Sequence, residues 1–335
     1  LDDGGNYILN STGDYDLINL TPHEIMAQGN LWWSGESAAI DSRIYDDDEA
    51  PASGLVDFSH HYRSGVITGD EAWEGEVRVG GDIIIPEGVE VKVMPGTVVK
   101  VAPHHDGLSS GVDPMRVEII VAGGITFKDG GNPSRFISDG YAPEPGDWYG
   151  IRFVRGKREE GGGKREERTV KNTRVNHAER GVSAEGVKLS VKKTRFNDCN
   201  LGIYATGKAL EVKKTRFDND SIGIYFAGSN WIEVRDCTLA LGDYGIWIDQ
   251  ESSVDIKRSH IKDFSTAGIY YHPEGKDRVP AGRPLLRGLD PKQIQDSKPL
   301  YLGLKDVAAT QGLDGNRFEV KRCHIAGCGT GIDAA

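Results

Sequence analysis

Tyr204, Tyr225, Trp247 and Tyr270 recur along the chain at a nearly constant spacing. Rings brought into one row would form a platform for sugar rings or a lateral protein contact, because each offers a broad apolar face with a polar edge. The same row has a structural reading: stacked rings stabilise a ladder, or lie beneath the polar insert that follows them. Asp46, Asp47, Asp48 and Glu49 set four carboxylates in succession, and Ca²⁺ is held by several such oxygens. The run lacks the spaced ligands of an EF-hand loop, and a solvated acidic loop explains it equally. Beyond this weak calcium candidate no cofactor is expected.

The remaining reactive side chains are scattered. His104, His105 and Asp106 form a loop cluster, His260 and His324 share an outward position without a paired acid, and Asp236 and Asp249 stand as single acids. No catalytic constellation is recognisable, so no catalytic residue is named. Phosphate-binding glycine loops and nucleic-acid signatures are absent from the sequence. Cys199, Cys237, Cys323 and Cys328 show no metal-binding spacing; Cys237 and Cys323 occupy one inward position with Ser259 between them, as small core residues do. Asn10, Asn19 and Asn219 lie in N-x-S/T sequons, compatible with a glycosylated exterior protein.

What positions all of these is a repeat, and repeats are read before anything else. The glycine of a G-I/V step falls at Gly150, Gly181, Gly202, Gly223, Gly245, Gly268 and Gly331, with nearly equal gaps in the middle and a longer one at each end. The last gap contains a Pro-, Gly- and charge-rich insert over about 272–316, and the first a polar run at about 154–168. Without them a unit of roughly 21 to 23 residues remains, within the range of solenoid repeats. Inside it Leu210, Val212, Thr215 and Phe217 point one way and Glu211, Lys213 and Arg216 the other, the period-2 signature of half-buried strands. Rungs this short leave no room for helices between strands, so the expectation is an all-β right-handed parallel β-helix, a β-solenoid in which stacked rungs bury one apolar column. Two outward columns are charged: Lys171, Lys192, Lys213, Arg235, Lys257 and Lys321, with Glu211, Glu233, Asp255 and Glu319 beside them. Carboxylates this close argue for a self-neutralising face over a basic stripe.

These rungs resemble the repeats of secreted right-handed β-helix proteins, a superfamily that includes pectate lyases, polysaccharide epimerases and many surface proteins of unknown activity. The resemblance covers 148–271 and 317–335 and implies a fold and an exterior location, not a chemistry. The superfamily's lyases use Asp clusters for Ca²⁺ with a basic residue as proton acceptor, and no matching set stands here.

The 335 residues, 38% hydrophobic with 44 Gly and 14 Pro, suit a turn-dense all-β chain with a large core. No run approaches the length of a membrane-spanning helix, so no membrane span is expected. The chain opens on Leu1 without a signal-like segment, which fits a removed targeting peptide or excision from something longer. The net charge of −11 is concentrated in residues 1–64, which hold twelve acidic side chains against Arg43 and Arg63.

Two regions follow: an acidic N-terminal arm, 1–64, and a β-helix body, 65–335. Asn30, Trp32 and Trp33 with Ile44-Tyr45-Asp46 and Val56-Asp57-Phe58 resemble the closing segment found after the last rung of many bacterial and archaeal surface β-helix proteins, yet stand at the start of the chain. The body reaches Ala335 in mid-rung without a cap, and an open strand edge is a template for pairing. Setting Leu1 of a second copy after Ala335 places Leu17 close to one repeat period beyond Ile332. The expected function is an extracellular structural subunit that assembles with itself into a head-to-tail filament or tandem array, the C-terminal rung complemented by residues 1–33 of the next copy. Its interface would comprise Tyr7, Ile8, Leu17, Ile18, Ile25, Trp32, Trp33, Ile325 and Ile332. The alternative is a secreted polysaccharide-binding or polysaccharide-degrading protein acting through the aromatic row. Neither nucleic acid nor a membrane is expected as a partner.

Overall fold

The computed structural model describes residues 6–8, 12–32, 37–104, 106–156, 167–228, 231–249, 252–272, 309–313 and 316–334. Each regular rung is three short strands meeting at corners, and each strand pairs in parallel with its equivalents one rung before and after. Face one carries Glu167–Lys171, Lys188–Lys192, Leu210–Lys213, Trp231–Arg235, Ser253–Lys257 and Asn316–Lys321. Face two carries Val98–Val101, Ser134–Ser138, Thr173–Asn176, Arg195–Asn197 and Arg216–Asp218, then the leading part of Thr238–Asp249 and of His260–His272, and His324–Ala326. Face three carries Glu118–Val121, Gly150–Phe153, Arg180–Glu185, Leu201–Thr206, Ile222–Ala227, the trailing part of the two long strands, and Thr330–Ala334.

The sequence period follows from the corners. Between faces one and two, Asn172, Lys193, Lys214, Asp236, Arg258 and Arg322 all take positive φ. Between faces two and three the same is true of His177, Asp198, Asn219, Leu241 and Asp263. One left-handed residue turns the chain within a single step, and the residue after the first corner is small and points inward. Thr194, Thr215 and Ser259 donate from their hydroxyls to the carbonyls of Lys192, Lys213 and Lys257, and the Cys237 and Cys323 thiols reach Arg235 and Lys321 in the same way. The cysteines are therefore buried, free core residues of that column; burial pushes the Cys237 thiol up to about 12.

The glycine ladder has a different cause. A Cβ on Gly181, Gly202, Gly223, Gly245 or Gly268 would stand 2.4–2.9 Å from the carbonyl oxygen of the glycine one rung on. Only glycine lets successive rungs close at that corner.

Inside the coil Phe196 stacks on Phe217 with centroids 5.0 Å apart. Val191, Val212, Val234 and Ile256 line face one, and Ile203, Ile224, Ile246 and Ile269 line face three, all fully buried. The column runs unbroken from Ile67 to Ile332.

The N-terminal residues depart from expectation. Tyr7–Ile8, Leu17–Ile18 and Ile25–Met26 pair in parallel with Leu31–Trp32, Ile44–Tyr45 and Val56–Asp57 of the same chain. Leu31 bridges in parallel to Tyr62, and Ser64 Oγ donates to the Trp32 carbonyl at 3.3 Å. Trp32, Ile40, Ile44 and Val56 form a small core of their own. Residues 1–33, expected to leave the body and complete a neighbour, are over their described part rungs stacked below it, because the chain already contains the strands that match them. Trp33 lies outside the described residues. The far end differs too: Ala309–Leu313 runs antiparallel along the outer edge of Asn316–Lys321, covering face one there. Among the described residues, His324–Ala326 and Thr330–Ala334 have no strand on their far side.

Candidate functional site

The outer surface of face three gathers most of the chain's chemically capable side chains. Arg152, Ser183, Tyr204, Tyr225, Trp247 and Tyr270 stand in register, one per rung, as the spacing predicts. Tyr204 and Tyr225 stack at 5.2 Å with rings 5° from parallel, and Trp247 meets Tyr270 edge-on at 4.9 Å. The expectation of a solvent-facing row does not hold for Tyr225, Trp247 and Tyr270, whose exposures are 3%, 7% and 8%. The physical reason is a second column: Leu201, Ile222, Tyr244 and Ala267 also face outward and are buried, so the two columns form one apolar layer outside the coil. The 273–308 part of the insert, proposed as a cover for the row, lies outside the described residues.

Polar groups punctuate this layer. The Arg180 guanidinium lies 4.0 Å from the Tyr204 ring centroid and 5.5 Å from that of Tyr149, a buried cation–π contact. Asp249, a single acid in sequence, accepts from the Tyr225 hydroxyl at 3.2 Å and faces His272 Nδ1 at 3.2 Å. Burial, then the Asp249 charge, raises the Tyr225 phenol above its ordinary range. The Asp249–His272 pair was beyond sequence reasoning because its partners stand a full rung apart and His272 is the last residue before the insert. Trp247 Nε1, Ser183 Oγ and Arg180 Nε are buried without a hydrogen-bond partner among the described residues.

Toward the N-terminal end the same face carries three buried acids. Asp82 Oδ1 accepts from the Glu118 N–H at 2.7 Å, and the Asp82 N–H donates to Asp106 Oδ1 at 3.0 Å. Glu118 accepts from the Val112 and Asp113 N–H groups and from Arg152 Nε at 2.6 Å. Asp82 Oδ2 and Asp106 Oδ2 have no hydrogen-bond partner among the described residues. Burial, and then the charges of Asp106 and Glu118, push the Asp82 carboxyl up to about 7 although the Glu118 N–H favours its ionised form. The loop cluster His104–Asp106 is split: His104 is exposed with Nε2 3.1 Å from Asp147, Asp106 is a buried cap, and His105 lies outside the described residues.

The other sequence candidates sit elsewhere. Asp46 is buried, with Oδ2 accepting from the Val56 N–H at 2.8 Å and Oδ1 from the Asp48 N–H, while Glu49 accepts from the Asp46 N–H. Asp47 and Asp48 are exposed at this turn. Two of the four acids are thus spent on backbone donors, and among the described residues no group of three or more His, Cys, Asp or Glu side chains is placed to hold a metal ion. Asn19 is 1% exposed and its amide donates to the carbonyls of His23 and Gly54, so that sequon is not presented. Asn219 is exposed at a corner, donating to Asp198, and Asn10 lies outside the described residues. Ile8, Leu17 and Ile25 pack half-buried on the N-terminal core, Ile18 is 53% exposed, and Ile325 and Ile332 pack in the C-terminal rung.

Face one carries the two charged columns as alternating ion pairs. Glu211 joins Lys192 at 2.9 Å and Lys213, Glu233 joins Lys213 and Arg235, and Asp255 joins Arg235 and Lys257. Burial opposes ionisation of Glu211, but hydrogen bonds from Lys213, Lys192 and Ser190 outweigh it and hold the carboxyl at about 2.

A parallel solenoid whose chemistry lies wholly on its outer faces is a parallel β-helix. Residues 160–279 match the right-handed beta helix region family. Comparison with curated proteins and with solved structures gave no match. Among the described residues no helix is long and apolar enough to cross a membrane.

Proposed function

We propose that this chain is a structural solenoid of the cell exterior that extends head to tail, its N-terminal rung stacked against the C-terminal rung of another copy. The observation that carries this is the unpaired strand edges, among the described residues, in the small N-terminal sheets and in the C-terminal rung. At one end Leu17–Ile18 and Ile25–Met26 pair on a single side, with Ile18 and Met26 exposed at 53% and 42%. At the other end His324–Ala326 and Thr330–Ala334 pair, among the described residues, with His260–His272 alone. Stacking whole rungs replaces the donation of a detached arm, and it uses faces two and three, because Ala309–Leu313 already occupies the edge of face one. The acidic N-terminal region would then meet a nearly neutral body, so docking is not opposed by like charge.

The test is sedimentation of the protein and of an Ile18→Lys/Met26→Lys variant, which places edge charges on exposed positions without disturbing a core. Concentration-dependent growth of the parent and a monomeric variant support the proposal. A parent that stays monomeric, or a variant that assembles as well, overturns it.

The unpartnered Trp247 Nε1, Ser183 Oγ and Arg180 Nε beside stacked rings favour a second reading, a glycan-binding outer layer on face three. Loss of glycan binding in Arg180→Gln with an unchanged melt would support that reading, and absence of binding in the parent would end it.

A further inference from the structure

The outer surface of face two bears a row that the repeat analysis passed over. Arg135, Arg174, Arg195 and Arg216 stand directly opposite one another on successive parallel strands, and Thr238, His260 and His324 continue the row. Neighbouring parallel strands lie about 4.8 Å apart, so four guanidinium stems recur at that interval over about 14 Å. Folding does not explain them. The strands are held from inside by Phe136, Val175, Phe196 and Phe217, and like charges set directly opposite cost stability.

Face one, built from the same rungs, shows what neutralisation looks like: its cations alternate with carboxylates. Face two has such pairs at its N-terminal end, where Glu76 and Asp139 meet Arg78 and Lys100, but the arginine row does not alternate. Asp218 takes both Arg195, at 3.0 Å, and Arg216, at 2.5 Å, while Arg135 and Arg174 are exposed and have no ion pair among the described residues. Lys193 and Lys214, exposed at the adjoining corner, add two further cations.

We infer that face two is a binding surface for an extended linear polyanion, an acidic glycan laid along the solenoid axis with one oxyanion group set against each guanidinium. Guanidinium binds planar and tetrahedral oxyanions through paired hydrogen bonds, which lysine does not. The row is fixed by the strand lattice, so binding orders only the ligand. A stiff polymer with charges recurring near the strand spacing gains one contact per rung. The outward positions beside the row, Asn176, Asn197, Asp218 and Ala240, offer no ring on which bases could stack, and the chain as a whole carries −11, so a glycan is favoured over a nucleic acid. The inference does not depend on end-to-end stacking.

The experiment is calorimetric titration of the full chain with four probes of equal length: a polyuronate charged on every sugar, a sulfated dextran, hyaluronan charged on every second sugar, and oligodeoxythymidine. The polyuronate or the sulfated dextran should bind tightest, which also names the oxyanion, with hyaluronan about tenfold weaker. Added salt should weaken binding, as it does for exposed charges. An Arg135→Gln/Arg174→Gln variant, which breaks no ion pair, should lose about tenfold in affinity with its melt unchanged, while a Lys171→Gln/Lys192→Gln variant on face one retains parental affinity. Absence of binding by either dense polyanion, equal affinity in the arginine variant, or tighter binding of oligodeoxythymidine overturns the inference.

Discussion

Replacing Asp82 by Asn should change how the stability of the N-terminal rungs depends on pH. The side chain is 0% exposed, and Asp82 Oδ2 and Asp106 Oδ2 are both buried without a hydrogen-bond donor among the described residues. A carboxyl raised from 3.8 to about 7 corresponds to up to roughly 4 kcal/mol. The sign follows from proton counting. Below the unfolded value of 3.8 both states carry the proton and nothing is lost. Between there and about 7 the native state holds a proton that the unfolded chain has released, so stability falls as pH rises, by at most roughly 1.4 kcal/mol per pH unit. Above that window the loss is complete and the profile is level. Asn at this position still accepts from the Glu118 N–H through its carbonyl oxygen, and its amide donates to Asp106, so it stands in permanently for the protonated acid. Thermal melts across pH, together with hydrogen exchange at the Leu108, Val112 and Asp113 amides held by these acids, read the effect locally, which matters because long repeat arrays need not unfold in one step. The parent should lose protection at these amides across the window, and Asp82→Asn should not. Identical profiles for the two proteins would refute the assignment of a buried, proton-holding Asp82.

Two further outcomes follow from other parts of the fold. Gly223→Ala sets a methyl 2.7 Å from the Gly245 carbonyl oxygen and 3.0 Å from Leu239, an overpacking that should cost about 1–3 kcal/mol, read as a lowered melting midpoint; a neutral result would mean the glycine ladder is not steric. Glu211→Gln removes the acid that joins Lys192 and Lys213. Its carboxyl is held at about 2, so the parent's contribution is present above the ordinary Glu value and disappears as pH falls toward 2; the melting difference should be small, about 0–1 kcal/mol at neutral pH, and absent below that range.

The regular rungs were legible because glycine, corner and apolar positions recur at one period, and each has a local physical cause. Gly202 must be small whatever its neighbours, and Phe217 faces inward because alternation forces it. The same logic placed the aromatic row in register but misjudged its exposure. Alternation distinguishes inside from outside the coil, whereas an outer layer depends on what a second outward column carries, here Leu201 and Ile222. The pairing of Asp249 with His272 and of Asp82 with Asp106 escaped for another reason: each joins residues one rung or one loop apart, and no local pattern marks the partner. The acidic run at Asp46 failed as a calcium candidate because Asp46 and Glu49 are turn-forming acceptors. Residues 1–33 were read as a donor arm because the segment around Trp32 resembles a closing segment and Leu17 of a second copy would continue the repeat period beyond Ile332. Their partners are two-residue strands at Leu31, Ile44 and Val56, too short to register as rungs.

Each rung of this solenoid solves its folding problem on the inside, with one or two buried apolar side chains per face, and leaves its outward positions free of that task. What the three faces do with the freedom differs. Face one spends it on alternating charge, where each Lys or Arg has a carboxylate within reach and little net field remains. Face three spends it on an apolar layer with a few buried polar atoms. Face two sets arginine on arginine across four strands and supplies a single aspartate, Asp218, to balance them. Because all three share the same rungs, period and backbone, the contrast cannot come from the fold. Chance substitution at an outward position would mix signs, as neutral drift does where exposed pairs are worth only about 0–1 kcal/mol. A row of one sign set against its own repulsion, on a surface whose neighbour shows the neutralised alternative, is what a gain from outside the chain would favour, and the polyanion proposed above would supply that gain.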